Sequence, residues 1–479
     1  MLWLALHFSR LPVEVFTTGQ HHKQQPFVVL QENRVSFLNP AAVDCGIVPG
    51  ATLATAHSIQ PALKYRQRDT TLELERLHML GDILYRFSGY VSIQAPDNVL
   101  LEIGGSLKLF QTAERLTLEA VRVCRALGHR ATAGVSTTPW AAIALARSES
   151  PALADVPLVD AGLEMAGVKN TVIERLANMG IYTLGGLLNL PARSVGTRFG
   201  KPLLQYLSQL RGELADPRQA LQPAQGFQRD LHLLSPLRGK QELSGDPRSP
   251  MNRLGHELQH WLVAHQLGCE DVVWNFLSHT AHQQISMTVH FAKGKQSAAD
   301  ILRISDLKLM QIDLPEEVLS VNLQAIHTRP WIGSSSTLFQ LAGEQPDSAG
   351  NIIDEFNARL GVGVCRRIQT LDQHTPEATW QAPAARSLEK IQSSISGKAS
   401  VESTFLYRLK RRPLWLFDPP RQVHLAELEL RQGPERIQSQ WWQGDLVSRD
   451  YYIAQHRTGA ECWAFVDHKA QWYLHGYFG

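Results

Sequence analysis

"MAGVKNTVIERLANMGIYTLGGLLNLP", residues 165–191, is the stretch from which the rest of the chain is read. It offers a glycine-containing turn at Gly167, a helix to Met179 and a second helical piece that stops before Pro191. Such a hairpin can point helix N-termini and backbone N–H groups at a phosphate, a contact that does not depend on base sequence. The same pattern also suits a plain structural pair of helices. The whole of Val159 to Glu213 reads as short helices broken at Gly180, Gly185 and Gly200.

On its N-terminal side strands alternate with helices. A buried first strand, Leu2 to Phe8, is followed by the polar loop "TTGQHHKQQ" and the strand segment "PFVVLQENRVSFLN". A short helix spans Pro40 to Cys45. Leu72, Leu74, Leu77, Leu80, Ile83, Leu84 and Phe87 predict an amphipathic helix. Next come the strand "APDNVLLEIGG", a helix from about Thr112 to Leu127, the strand "RATAGVS" and the helix "TPWAAIALARSE". This alternation predicts an α/β or α+β layer with one buried sheet. On the C-terminal side, Phe227 to His327 gives alternating strands and two helices, one of them from Asn252 to His265. A Ser/Gly/Pro-rich linker covers 329–351, a helix runs from Ile352 to Leu360, "HTPEATWQAPAARS" reads as another linker, and 412–479 is a run of short aromatic-rich strands.

At 479 residues the chain has material for two to four domains. Its net charge of +2 argues neither for nor against nucleic acid, which leaves two local basic clusters, "KYRQR" from Lys64 and "YRLKRR" from Tyr407. Five scattered cysteines without a C-x-x-C pair indicate neither a zinc cluster nor a disulfide framework. The N-terminus reads as a strand, not a signal peptide. No run is long enough to span a bilayer, so the expected location is cytoplasmic, with no membrane partner.

This order of pieces resembles the Y-family translesion DNA polymerases over roughly residues 1–345, and residues 165–191 look like their helix-hairpin-helix. The resemblance implies an α+β multidomain fold: palm 1–158 with a small fingers insertion at about 20–72, helix-hairpin-helix thumb 159–215 and little-finger-like domain 227–328. Beyond it would lie a linker at 329–351, a helix and linker at 352–411 and a β-rich, partner-binding region at 412–479. Gly167, Val168, Lys169 and Asn170 would be the DNA contacts. A mutasome branch of the family resembles the chain to its end, through "RPLWLF", "GPERI", "WWQGDLVSRDYY" and "WYLHGYFG".

Polymerase chemistry needs two divalent cations held between carboxylates. In the family, one metal ligand ends the first strand; here that position falls on Leu6 or His7. The family's adjacent acidic pair falls on Asp97 and Asn98, so one acid remains, in a Pro-Asp-Asn sequence whose simplest use is a turn with local backbone bonding. The triphosphate-binding Tyr and Arg positions are Pro40 and Val43, and the expected Lys is Leu145. The expectation is a polymerase fold without polymerase chemistry, holding no metal and no cofactor; the competing reading is an active translesion polymerase with displaced ligands.

Two further motifs compete for attention. "HELQH", His256 to His260, matches a zinc-hydrolase pattern, although the flanking Leu254, Leu258 and Leu262 turn both histidines toward solvent. "SSSTLFQL" resembles bacterial sliding-clamp ligands of the form Gln-Leu-x-Leu-Phe. Ser335, Ser336, Thr337, Leu338 and Phe339 fill the five places, and the Leu-Phe anchor is kept; Leu416–Phe417 is the rival anchor. The resemblance implies an adaptor for the β sliding clamp, an error-prone C-family polymerase, a RecA-like accessory protein and, weakly, DNA. Trp441, Trp442, Arg449, Asp450, Tyr451 and Tyr452 are the expected partner contacts.

Overall fold

The computed structural model describes residues 1–17, 25–278, 283–331, 348–361, 364–366, 368–371, 375–381, 411–439 and 447–478. They fall into two units, Met1–Pro346 and Asp347–Gly479.

In the first unit, strand β1 (Trp3–His7) is buried along its whole length, as a strand covered on both faces must be. Helix α1 (Leu11–Thr17) follows it. Strands β2 (Phe27–Gln31) and β3 (Arg34–Leu38) then form an antiparallel hairpin. The chain runs through α2 (Pro40–Asp44) and α3 (Leu53–Ile59) and returns as β4 (Lys64–Gln67), parallel to β2. After helix α4 (Thr70–Leu84), whose first turn is capped by the Asp69 carboxylate at 3.0 Å from the Thr71 and Leu72 amides, come β5 (Val91–Gln94) and β6 (Asn98–Glu102). Helices α5 (Leu107–Phe110) and α6 (Ala113–Ala126), the latter capped by Thr112, lead to β7 (Thr132–Ser136) and α7 (Pro139–Ser148).

The expectation of one buried sheet is corrected here. Strands β5-β6-β1-β7 form an antiparallel sheet, and β3-β2-β4 form a separate one. The second sheet has its own core of Val28, Leu30, Val35, Ala42, Ile47, Ala56 and Leu63. Apolar alternation marks a strand but not its partner, so a parallel return through two helices was invisible in the pattern. Helix α7 lies against β7 at Gly134, where a Cβ would stand 2.4 Å from the Ala142 carbonyl oxygen. Only glycine lets helix and strand approach this closely.

Helices α8 (Asn170–Asn178), α9 (Leu184–Leu188), α10 (Ala192–Phe199) and α11 (Lys201–Arg211) complete the helical stretch. Gly185 does not break a helix: it lies inside α9, where a Cβ would sit 2.8 Å from the Ala154 carbonyl oxygen. These helices share one apolar core with the sheet, for Trp3, Ala5 and Leu100 cluster with Trp140 and Ile143 of α7 and with Leu163, Leu176, Leu184, Leu203 and Tyr206. The following connection is strapped to the edge strand β5: the Leu221 amide donates to the Val91 carbonyl at 2.8 Å, and the Tyr90 hydroxyl donates to the Arg218 carbonyl.

Strand β8 (Phe227–Leu237), helices α12 (Lys240–Ser244) and α13 (Pro250–Ala264), strands β9 (Leu267–Ser278) and β10 (Gln283–Lys295), helix α14 (Ala298–Leu309) and strands β11 (Val318–Ala325) and β12 (Thr328–Pro330) end the unit. The sheet order is β10-β9-β11-β8, with β12 on β9. Alternate β9 residues Val272, Trp274 and Phe276 are buried, and the Trp274 indole donates to the Ser305 hydroxyl of α14 at 3.0 Å.

The second unit holds helix α15 (Ser348–Leu360), the short pair β13 (Gln369–Thr370) and β14 (Trp380–Gln381), and strands β15 (Trp415–Gln422), β16 (Leu428–Ser439), β17 (Val447–His456), β18 (Glu461–Asp467) and β19 (Trp472–Tyr477). The sheet β15-β19-β18-β17-β16 carries Leu428, Ala454, Cys462, Ala464 and Leu474 in one cluster and Ile437, Tyr451, Trp463 and Phe465 in another. The reading of "HTPEATWQAPAARS" as a linker is corrected for its described part. Pro376–Ala378 makes a helical turn and β14 pairs with β13, so residues 375–381 are ordered structure. Among the described residues no helix is long and apolar enough to cross a membrane.

Candidate functional site

At one end of the first sheet, His7 of β1 stands opposite Asn98 of β6, and Leu6 opposite Val99. The structure therefore brings Leu6, His7, Asp97 and Asn98 together, with Leu6 and Asn98 fully buried. Asp97 is not confined to local backbone bonding, which corrects the turn-residue reading. Its backbone carbonyl does accept from the Phe8 amide at 2.8 Å, but its carboxylate faces inward. There it accepts from Arg147 Nη1 at 3.0 and 3.1 Å and from the Asn98 side-chain Nδ2 at 2.6 Å, and His7 Nδ1 lies 3.6 Å away. Burial by itself would raise the Asp97 carboxyl. His7 and the Arg147 guanidinium outweigh it and hold the group below its ordinary value. Arg147 reaches the carboxylate because α7 is seated so tightly on Gly134 of β7.

Leu145, two residues before Arg147, packs half-buried on the shared apolar core and does not join this group. Pro40 and Val43 are exposed on α2. The Asn39 side chain ahead of them caps that helix at the Ala42 amide (2.9 Å) and ties it to β2 through the Phe27 amide (3.0 Å). Glu102 lies at the far end of β6, opposite Trp3, where it accepts from the Leu2 and Gly104 amides at 3.2 and 3.1 Å.

At the helical hairpin Gly167 has φ +80°, Val168 is buried, and Lys169 and Asn170 are exposed at the start of α8. Lys169 makes no side-chain cap, and the Val172 amide in the first turn of α8 turns back to the Lys169 carbonyl at 2.8 Å.

The "HELQH" helix, α13, spends its glutamate elsewhere. Glu257 is 1% exposed and accepts from Arg76 Nη1 of α4 at 2.9 Å and from Arg253 Nε at 2.8 Å. Burial would raise this carboxyl, but the two guanidinium groups hold it at about 2. His256 is exposed as expected. His260 is not: it is half-buried, and burial pushes its imidazole down to about 4. On the next turn Asp82 of α4 accepts from the Trp261 indole at 2.8 Å and sits 3.1 Å from His265 Nε2. Sequence reasoning missed Arg76, Asp82 and Arg147. For Arg76 a signal existed, because it falls on the same face of α4 as Leu80 and Ile83.

In the second unit Asp450 pairs with Arg436 through two bonds of 2.7 Å, and Arg449 Nη2 lies 2.8 Å from Glu377 Oε1. Tyr452 is half-buried, 5.4 Å from the Trp472 ring. Tyr451 is 1% exposed and stacks on Trp463 at 4.0 Å, so its ring is part of the core of this sheet. Its position in an alternating strand allowed either face, and only the pairing of β17 with β18 fixes which. Leu416 is exposed, and Phe417 packs on Tyr477. Ser335, Ser336, Thr337, Leu338, Phe339, Trp441 and Trp442 lie outside the described residues.

Residues 13–147 match the impB/mucB/samB family. Protein ImuB of Caulobacter vibrioides, in strain NA1000 / CB15N and in strain ATCC 19089 / CIP 103742 / CB 15, is 24% identical over 482 residues, covering 91% of this chain and all of the relative. Among solved structures, the insertion ternary complex of Dbh DNA polymerase and DinB from Sulfolobus solfataricus are each 15% identical, covering 68% of this chain and 98% of theirs, with TM-scores of 0.38 and 0.36.

Proposed function

We propose that this ImuB-like, polymerase-like chain is a non-catalytic adaptor of SOS-induced translesion DNA synthesis in the cytoplasm. One observation carries the reading: the single acid at the metal-ligand positions, Asp97, already serves Arg147 and His7. Two divalent cations need several hard anionic oxygens between them. Leu6 offers none, the His7 and Asn98 side chains carry no anionic oxygen, and a guanidinium stands against the remaining carboxylate. The donor set does not fit a two-cation centre. Nor do Pro40, Val43 and Leu145 supply the charge-assisted bonds that a triphosphate requires.

The division of labour follows from the resemblance to ImuB. Residues 1–158 would be a palm with its fingers insertion, and 227–328 a little-finger-like domain. The thumb, 159–215, would offer the backbone of Gly167, Val168, Lys169 and Asn170 to DNA phosphates, weakly and without sequence preference. Leu338 and Phe339 would anchor the chain on the β sliding clamp. The 412–479 region would recruit an error-prone C-family polymerase and the RecA-like ImuA. Several weak contacts on one chain raise the effective concentration of the working polymerase at a lesion.

Primer extension on primed DNA with Mg²⁺ or Mn²⁺ tests the reading. The wild-type chain and Asp97→Ala should both fail to extend. Extension that disappears in the variant would make Asp97 a metal ligand and the chain a polymerase.

A further inference from the structure

Arg449 of β17 and His475 of β19 belong to adjoining parts of one sheet and both aim at a carboxylate. Arg449 Nη2 is 2.8 Å from Glu377 Oε1, and His475 Nε2 is 3.8 Å from Glu377 Oε2. Arg449 also donates through Nη1 to the Tyr451 hydroxyl oxygen at 3.1 Å, and that hydroxyl lies 2.8 Å from His475 Nδ1. A carboxylate opposite Nε2 favours the tautomer that carries its proton there, which leaves Nδ1 to accept from the Tyr451 hydroxyl. Burial pushes the imidazole below its ordinary value and so favours its neutral form, whose ring proton on Nε2 faces the carboxylate. The relay therefore presents two donors, one for each oxygen of a carboxylate.

Glu377 uses only one of them. A separation of 3.8 Å is no hydrogen bond. His475 Nε2, on a side chain with no exposure, and Glu377 Oε2 are both buried without a partner among the described residues. Leaving such groups unmade is costly.

The two sides of this contact are built differently. The receiving side is rigid: Tyr451 stacks on Trp463, Trp463 lies nearly parallel to His475, and the Arg449 guanidinium sits 4.6 Å over the Phe465 ring. The entering side is a single helical turn, Pro376–Ala378. Beside Arg449 a cavity of about 330 Å³ opens between Pro419, Pro420, Phe465 and Tyr473.

We propose that Arg449, Tyr451 and His475 form a receptor for an acidic side chain of an extended peptide, with the neighbouring cavity taking an apolar flanking residue, and that Glu377 occupies this receptor in cis. A partner segment whose carboxylate closes both bonds displaces Glu377, which closes one. The cis occupant is favoured by its high local concentration, so it sets a threshold that only a well-fitting acidic segment passes. The inference gives a chemistry to the partner contact assigned above to this end of the chain and rests on that assignment. Its test uses no partner protein, so its failure is distinguishable from failure of the adaptor reading.

The test uses the full-length chain, wild type and Glu377→Ala, with a fluorescein-labelled peptide Thr-Pro-Glu-Ala-Thr-Trp as probe and the same peptide carrying Gln for Glu as control. Fluorescence anisotropy should show binding at least about tenfold tighter to the variant than to the wild type, and at least about tenfold weaker for the Gln peptide. Adding Arg449→Met to the Glu377→Ala chain should abolish binding, with near-UV circular dichroism reporting whether the aromatic cluster is intact. If that double variant does not fold, the Gln peptide alone decides. Equal binding to wild type and Glu377→Ala, or equal binding of the Glu and Gln peptides, overturns the proposal.

Discussion

Glu257 stands between two histidines in a pattern associated with zinc hydrolysis, yet its carboxylate belongs to Arg76 and Arg253. A buried ion pair deprived of one partner leaves uncompensated charge, here two guanidinium groups. Glu257→Gln should therefore destabilise the first unit by about 3–5 kcal/mol in urea denaturation at pH 7. The same carboxyl fixes a pH dependence. Held at about 2 instead of its ordinary 4.5, it contributes about 3 kcal/mol. That stability is complete above pH 4.5 and fades as pH falls toward 2, so the gap between wild type and Glu257→Gln should narrow in acid. A gap unchanged between pH 7 and pH 3 would refute the linkage. At this scale the sequence was a partial guide. It showed that Asp97 is isolated among the expected metal positions, but Arg147, fifty residues on, is joined to it only by the register of β7 on β1 and the seat of α7.

Helices were the most legible elements, because their starts are written locally: Asp69, Thr112 and Ser249 cap α4, α6 and α13, and Pro250 opens the last. Sheets were less so, since partners far apart in sequence decide them; the parallel return of β4 beside β2 is the example. The turn at Pro376–Ala378 was hidden by a linker-like composition rich in Pro, Ala and Thr. Where an element depends on close approach, one methyl group is enough to disturb it. Gly134→Ala would press a Cβ against the Ala142 carbonyl and should cost about 1–3 kcal/mol, read as a lower thermal midpoint. It should also loosen the Arg147–Asp97 contact, because α7 must shift outward. A melting curve identical to wild type would show that α7 yields freely.

For the whole molecule, the adaptor reading puts most weight on Leu338 and Phe339, which lie outside the described residues. Exchanging Leu338 and Phe339 together for alanine should abolish retention of purified β clamp in a pull-down, while leaving the fold of both units untouched. Undiminished retention would sink the Leu338–Phe339 anchor. The alternation of strands and helices before the helical hairpin was readable from sequence, because each element carries its own apolar period. What sequence did not reveal is that the boundary near residue 158 divides no core. Trp3, Leu100 and Trp140 share their apolar neighbours with Leu176 and Tyr206. Recombination between diverged homologues should therefore rarely leave crossover points there, for a chimera joined at that position would inherit two half-interiors selected apart from one another.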